Sequence, residues 1–216
     1  MGGVTVWQKK TGTYITLNYT PVSLSLLLEL LSISQDYGPK VNFKRQKVKL
    51  GLFNGLPPFS EWLIRRMQNE TEELKDFTPV ELCNLDYSPD RGSAIDPHMD
   101  DVWMWGERLV TLNLLSHTFL TFSSSNESSP SNTQCRVSTL QICVPLPQRS
   151  LVIVQGPSRY QWQHSIRRDH ICSRRLETTL RELTVDFMPG GKFYDDVGKD
   201  ILEAATSFCG SPVNFR

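Results

Sequence analysis

From Pro79 onward the sequence is cut into short β-prone segments, at residues 80–87, 108–115, 118–122, 136–144, 150–155, 161–166 and 176–187. Gly, Pro and Ser turns bound them. Many short strands at such spacing predict an antiparallel sandwich or jelly roll, because each strand must pair with neighbours to satisfy its backbone and bury one face. Residues 123–133 (SSSNESSPSNT) read as a polar hairpin loop. Two helices flank this core. One covers residues 59–74, with Ser60 as N-cap and Trp62, Leu63, Met67 and Leu74 on one face; the other covers 197–208, begun by Asp195 or Asp196 after Gly190-Gly191. The fold class expected is mainly β with flanking helices.

The opening residues differ. Residues 4–20 are β-prone, residues 23–31 have helical character, and residues 36–49 are basic and irregular. The division expected is an atypical N-terminal segment at 1–34 and one domain at 35–216. The stretch VSLSLLLELL carries Glu29 and is too short to span a bilayer, so no membrane partner is expected. Cys83, Cys135, Cys143, Cys172 and Cys209 form no CxxC pair, which disfavours a zinc ribbon or a disulfide framework and points to a reducing compartment. Lys+Arg and Asp+Glu both number 23, so no global field draws the chain to nucleic acid. Local basic clusters remain at Lys44-Arg45-Gln46-Lys47, Arg167-Arg168 and Arg174-Arg175.

Chemistry concentrates in IDPHMDDVWMWGERLV, residues 95–110. Side chains at i and i+2 share a side of an extended chain but lie about 200° apart on a helix. Pro97 disfavours helix at Asp96, so His98 and Asp100 can converge on one ion. Taken alone, His98-Met99-Asp100 also suits a polar turn. Of the remaining histidines, His117 reads as a strand-end turn and His170 as a loop residue. Alternation in YQWQHSI places Tyr160, Trp162, His164 and Ile166 on one face, which makes His164 either a core residue or a third ligand. Two histidines and a carboxylate are the facial triad of non-haem Fe(II) oxygenases. Such enzymes anchor the far carboxylate of 2-oxoglutarate on arginine, whose guanidinium binds carboxylates bidentately. Arg175 and Arg181 are six apart in RLETTLRELTV, on one expected strand face with Leu183, Val185 and Phe187.

The order HxD, a distant His, then R-x5-R resembles the AlkB group of Fe(II)/2-oxoglutarate dioxygenases. The stretches DYGPKVNFKRQKVK, CNLDYSPDRGSAIDPHMDDVWMWGERLVTLNLLS, VPLPQRSLVIVQG, RYQWQHSI and SFCGSPV resemble its branch called AlkB homolog four, from about Gln35 to Val213. The resemblance implies a double-stranded β-helix (jelly-roll) core. It implies Fe(II) on His98, Asp100 and His164, with O2 and 2-oxoglutarate as cosubstrates. Arg175 matches the arginine for the distal carboxylate, Arg181 the second arginine of the motif, which binds near the cosubstrate's other end, and Tyr87 a tyrosine that hydrogen-bonds the cosubstrate. The family's asparagine two residues before that tyrosine is Leu85 here, leaving Asn84 as a shifted candidate. No catalytic residue is implied beyond the metal ligands.

The activity implied is oxidative removal of N-methyl groups, from monomethyl-lysine of actin, from N6-methyladenine in DNA, or from both, in cytoplasm and nucleus. Trp103, Trp105 and Asp101 are candidates for the substrate pocket; the tryptophans equally suit a core, and Asp101 a turn. Relatives of this branch carry a Cys-rich N-terminal segment that residues 1–34 do not resemble. Two rivals follow: a non-catalytic jelly-roll interaction module that keeps the metal-site residues, and a nucleic-acid-binding module.

Overall fold

A computed structural model describes residues 4–9, 12–18, 36–124 and 140–211. The helix expected at 23–31 and the loop expected beyond Ser124 lie outside the described residues. Two antiparallel sheets dominate. The larger contains β1 (Val4–Lys9), β2 (Gly12–Asn18), β3 (Asp36–Tyr37), β6 (Pro79–Tyr87), β8 (Trp105–Leu114), β11 (Ser150–Val154) and β13 (Arg175–Leu183), in the order β1-β2-β11-β8-β13-β6-β3. The smaller contains β7 (Ile95–His98), β9 (Thr118–Ser124), β10 (Gln141–Leu146) and β12 (Trp162–Ile166), in the order β10-β9-β12-β7. β4 (Lys40–Asn42) and β5 (Lys47–Lys49) make a separate hairpin over residues expected to be irregular. This is the expected jelly roll: each sheet is solvated or helix-covered on one side, and the inner faces enclose an apolar space.

Alternation decides which side chains enter that space. On β8, Leu109 and Thr111 line the cavity between the sheets, while Val110, Leu112 and Leu114 are buried in the core. On β13, Glu177, Thr179 and Arg181 line it, so the face shared by Arg175 and Arg181 is polar rather than otherwise apolar. Val185 and Phe187 do not continue that face. The strand ends at Leu183, and residues Val185–Phe187 turn into a 3-10 helix that leaves Val185 81% exposed and buries Phe187.

The first flanking helix is Pro58–Glu70. Its N-cap is Pro57, with Pro58 in the first turn, where a missing N–H costs nothing. Ser60 lies inside the helix, buried, and its hydroxyl donates to the Pro57 carbonyl at 2.7 Å. Leu63, Ile64 and Met67 form the buried stripe, whereas Trp62 points outward at 49% exposure. Leu74 is buried from a following 3-10 turn, Glu72–Leu74. The C-terminal helix is wound as a π turn, Tyr194–Gly198, and then α-helix, Lys199–Ala205, lying against β6. No helix among the described residues is long and apolar enough to cross a membrane.

Candidate metal centre

β7 is an edge strand of the smaller sheet, the one place a strand tolerates Pro97 without losing a ladder bond. Its pairing with β12 sets His98 directly opposite His164, with the register shifting between His164 and Ile166. Directly paired residues project from the same face. The two imidazoles accordingly sit with ring centroids 4.5 Å apart. The chain leaves β7 after His98, and Asp100 folds back so that its Oδ2 lies 3.2 Å from His164 Nε2. One donor atom from each of His98, Asp100 and His164 falls within 4.8 Å of the others. Tyr160 does not share this strand face; it ends the short helix Pro157–Tyr160 that precedes β12.

Each donor is oriented by a neighbour. His98 Nδ1 lies 2.9 Å from the Asp96 carbonyl, which frees the other ring nitrogen to face the cluster. Arg181 Nε donates to Asp100 Oδ1 at 2.7 Å, and its Nη1 donates to Glu81 at 2.5 Å. Burial alone would raise the Asp100 pKa, but the Arg181 charge and the His164 hydrogen bond outweigh it and hold the carboxyl below its usual range. Asp100 therefore stays an anion, as a metal ligand must. His164 Nδ1 is buried without a hydrogen-bond partner among the described residues, a costly state for an imidazole with a purely structural role.

The loop after Asp100 is held by Arg159, a fully buried residue with no expected role. Its guanidinium donates to the backbone carbonyls of Asp100 at 2.9 Å, Asp101 at 2.7 Å, Trp105 at 3.2 Å and Gly106 at 3.4 Å. Asp101 closes the same loop as a turn residue, its Oδ1 accepting from the Trp103 and Met104 amides at 2.9 Å each. Trp103 packs edge-on against Phe187 and Phe193. Trp105 is buried in β8 with the Arg181 guanidinium 5.9 Å over its ring. None of Asp101, Trp103 and Trp105 lines the cavity beside the histidines.

At the other end of β13, Arg175 is fully buried. Its Nε donates to Asn113 Oδ1 at 2.5 Å, its Nη2 to Glu177 Oε2, and its guanidinium lies 4.6 Å from the Tyr87 ring centre. The Tyr87 hydroxyl donates to Glu177 Oε1 at 2.8 Å. Burial and the Glu177 charge push the Tyr87 phenol far above its ordinary range, so it remains a donor. Leu85 faces the cavity two residues earlier, whereas Asn84 is on the opposite face and accepts from Thr178. Asn84 is thereby excluded from the cavity wall.

Sequence reasoning missed Arg159, Asn113 and Glu177. Arg159 lies in QGPSRY, which looks like a surface turn and gives no hint of burial. Glu177 was detectable: it is two residues from Arg175 and shares its face by the same alternation that paired the arginines.

The donor set fits a divalent first-row metal. Two imidazole nitrogens and one carboxylate oxygen on one side leave further coordination positions open, the arrangement suited to Fe(II) with a cosubstrate and oxygen. No model of a known protein family matches the chain. Individual relatives do. The protein "Alpha-ketoglutarate-dependent dioxygenase alkB homolog 4" of Mus musculus is 47% identical over 200 residues, 83% of this chain and 65% of the relative. Its Homo sapiens counterpart is 46% identical over the same extent. A "DNA N6-methyl adenine demethylase" of Caenorhabditis elegans is 38% identical over 170 residues, 78% of this chain and 54% of that protein. The chain thus spans 65% of the length of the mammalian relatives it matches.

Proposed function

The chain belongs to the AlkB family of alpha-ketoglutarate-dependent dioxygenases, and on that premise we propose that it is an Fe(II)- and 2-oxoglutarate-dependent N-demethylase. The observation that carries this reading is the convergence of His98, Asp100 and His164 at the wall of an otherwise largely apolar cavity between the sheets. In this reading those three residues hold Fe(II). Bound iron with O2 and 2-oxoglutarate would supply the oxidation of an N-methyl group to N-hydroxymethyl, which releases formaldehyde, with succinate and CO2 formed alongside. The chain's own residues do the rest. Arg181 and the His98–Asp96 contact fix the ligand directions. Arg175 and Tyr87 receive the distal carboxylate of 2-oxoglutarate. Leu109, Leu120, Val152, Val154 and Ile166 keep the cavity dry, which strengthens every charge interaction within it.

For the methylated target we propose N6-methyladenine in DNA. The worm relative named for that activity supports this choice. So does the β4–β5 hairpin, where Lys40, Lys44, Arg45, Lys47 and Lys49 are all exposed and available to phosphates. The hairpin packs onto the larger sheet through Phe43, whose ring centre lies 6.1 Å from that of Trp105. A second reading, monomethyl-lysine of actin, is favoured by the zero net charge of the whole chain. Formaldehyde release from an N6-methyladenine duplex and from a methylated actin peptide, measured side by side with Fe(II) and 2-oxoglutarate, separates them. Release from DNA that falls when Lys44, Arg45 and Lys47 are neutralised supports the first reading. Release from the peptide alone replaces it with the second.

A further inference from the structure

We propose that Glu177 is a built-in rival for the cosubstrate's distal carboxylate, occupying Arg175 and Tyr87 in the resting chain and lowering the affinity for 2-oxoglutarate. The proposal rests on the reading that Arg175 and Tyr87 are that carboxylate's anchor.

The geometry is that of an occupied carboxylate site. One oxygen of Glu177 takes the Arg175 Nη2 hydrogen and the other takes the Tyr87 hydroxyl. A bound ligand carboxylate would use the same two donors. Glu177 lines the cavity and Arg175 does not, so the acid stands between the cavity and the guanidinium. Arg175 still has an unused donor, because its Nη1 is buried without a hydrogen-bond partner among the described residues. A fully buried guanidinium nitrogen left unpaired costs free energy that an incoming oxygen would recover.

That oxygen cannot simply be added beside Glu177. Two carboxylates on one guanidinium, shielded from water, repel strongly. The ligand must therefore displace the Glu177 carboxylate from Nη2 and the tyrosine. Other cations nearby offer no relief, since Arg181 is already shared between Asp100 and Glu81. Asn113 holds Arg175 through Nε, a nitrogen that Glu177 does not use, so the guanidinium stays in place while the acid is exchanged.

The test is the dissociation constant of 2-oxoglutarate on the Mn(II)-loaded chain, measured by calorimetry without turnover. Glu177→Gln keeps the side-chain shape and removes the rival charge; its constant is expected to fall by about tenfold. Glu177→Asp, which retracts the acid, is expected to lie between it and the wild type. The gain must be specific: a 2-oxo acid lacking the distal carboxylate, 2-oxobutyrate, is expected to bind wild type and Glu177→Gln alike. Unchanged or weaker 2-oxoglutarate binding in Glu177→Gln overturns the proposal, as does an equal gain for 2-oxobutyrate. Arg175→Met distinguishes the two levels. Binding lost in Arg175→Met but not tightened in Glu177→Gln removes the rivalry and leaves the anchor. Binding unaffected by Arg175→Met removes both.

Discussion

At the scale of single residues, the site depends on two arginines that never touch the metal position. Arg181 keeps Asp100 ionised and aimed, and its loss would leave both Asp100 and Glu81 without their cation. Arg181→Met is expected to weaken Mn(II) or Fe(II) binding about 10- to 100-fold, the usual effect of removing a residue that orients a ligand, as read by metal titration. Arg159 acts on the backbone instead. Its four carbonyl contacts run from Asp100 to Gly106, with no carboxylate partner among them. Arg159→Met should lower unfolding free energy by about 2–4 kcal/mol, because several buried carbonyls lose their donor. Chemical denaturation measures the loss, and unchanged stability would refute the clamp. These two residues were unequally legible. Arg181 follows from strand alternation and its spacing from Arg175. Arg159 follows from nothing local, because a buried arginine satisfied only by carbonyls is created by the tertiary fold.

At the scale of elements, the cluster is a product of register. His98 and His164 are 66 positions apart in number yet directly paired, because β7 adds to the edge of β12. Alternation predicted the shared face of Arg175 and Arg181 but not the direction of Asp100, which lies beyond the end of β7, and it contains no information on which strands become neighbours. The longer strands β6, β8, β9, β11, β12 and β13 were readable in the same way, while the short β3, β4, β5 and β7 and the strand ends were not. β13 ends at Leu183, just past an irregularity at which its register shifts against both neighbours immediately after Arg181. Such bulges commonly re-aim side chains beside functional sites. Gly106 makes this crossing possible, since a Cβ there would stand 2.6 Å from the Leu183 carbonyl oxygen and 2.8 Å from Glu182 Cγ. Gly106→Ala is therefore expected to push β8 from β13, cost about 2 kcal/mol or more, and loosen Arg181. A thermal shift combined with weaker metal binding would be the signature; a thermal shift alone would place the effect away from the site.

At the scale of the whole molecule, two sheets bring residues from β6, β7, β12 and β13 to one cavity. The fold's role is to hold acids and bases together that would repel or hydrate in an open chain. A metal bound by such a prepared site should stabilise the folded chain alone. At a free concentration about 100-fold above its dissociation constant, Mn(II) should add about 2.7 kcal/mol and raise the melting temperature by roughly 5–10 °C, reversed by chelator. An antiparallel sandwich or jelly roll was legible from strand count and turn spacing, the choice between them from the resemblance, and the candidate cluster His98, Asp100 and His164 from the HxD pair and the same resemblance. The position of Glu177 on the Arg175 face follows from alternation, but its hold on both Arg175 and Tyr87 does not, since that needs β6 packed beside β13. The most direct measurement of the central claim is succinate formed from 2-oxoglutarate with Fe(II) and ascorbate, compared with a His98→Ala, Asp100→Ala double variant. Iron-dependent succinate from the wild type and none from the variant is the predicted result; equal yields from both would contradict it.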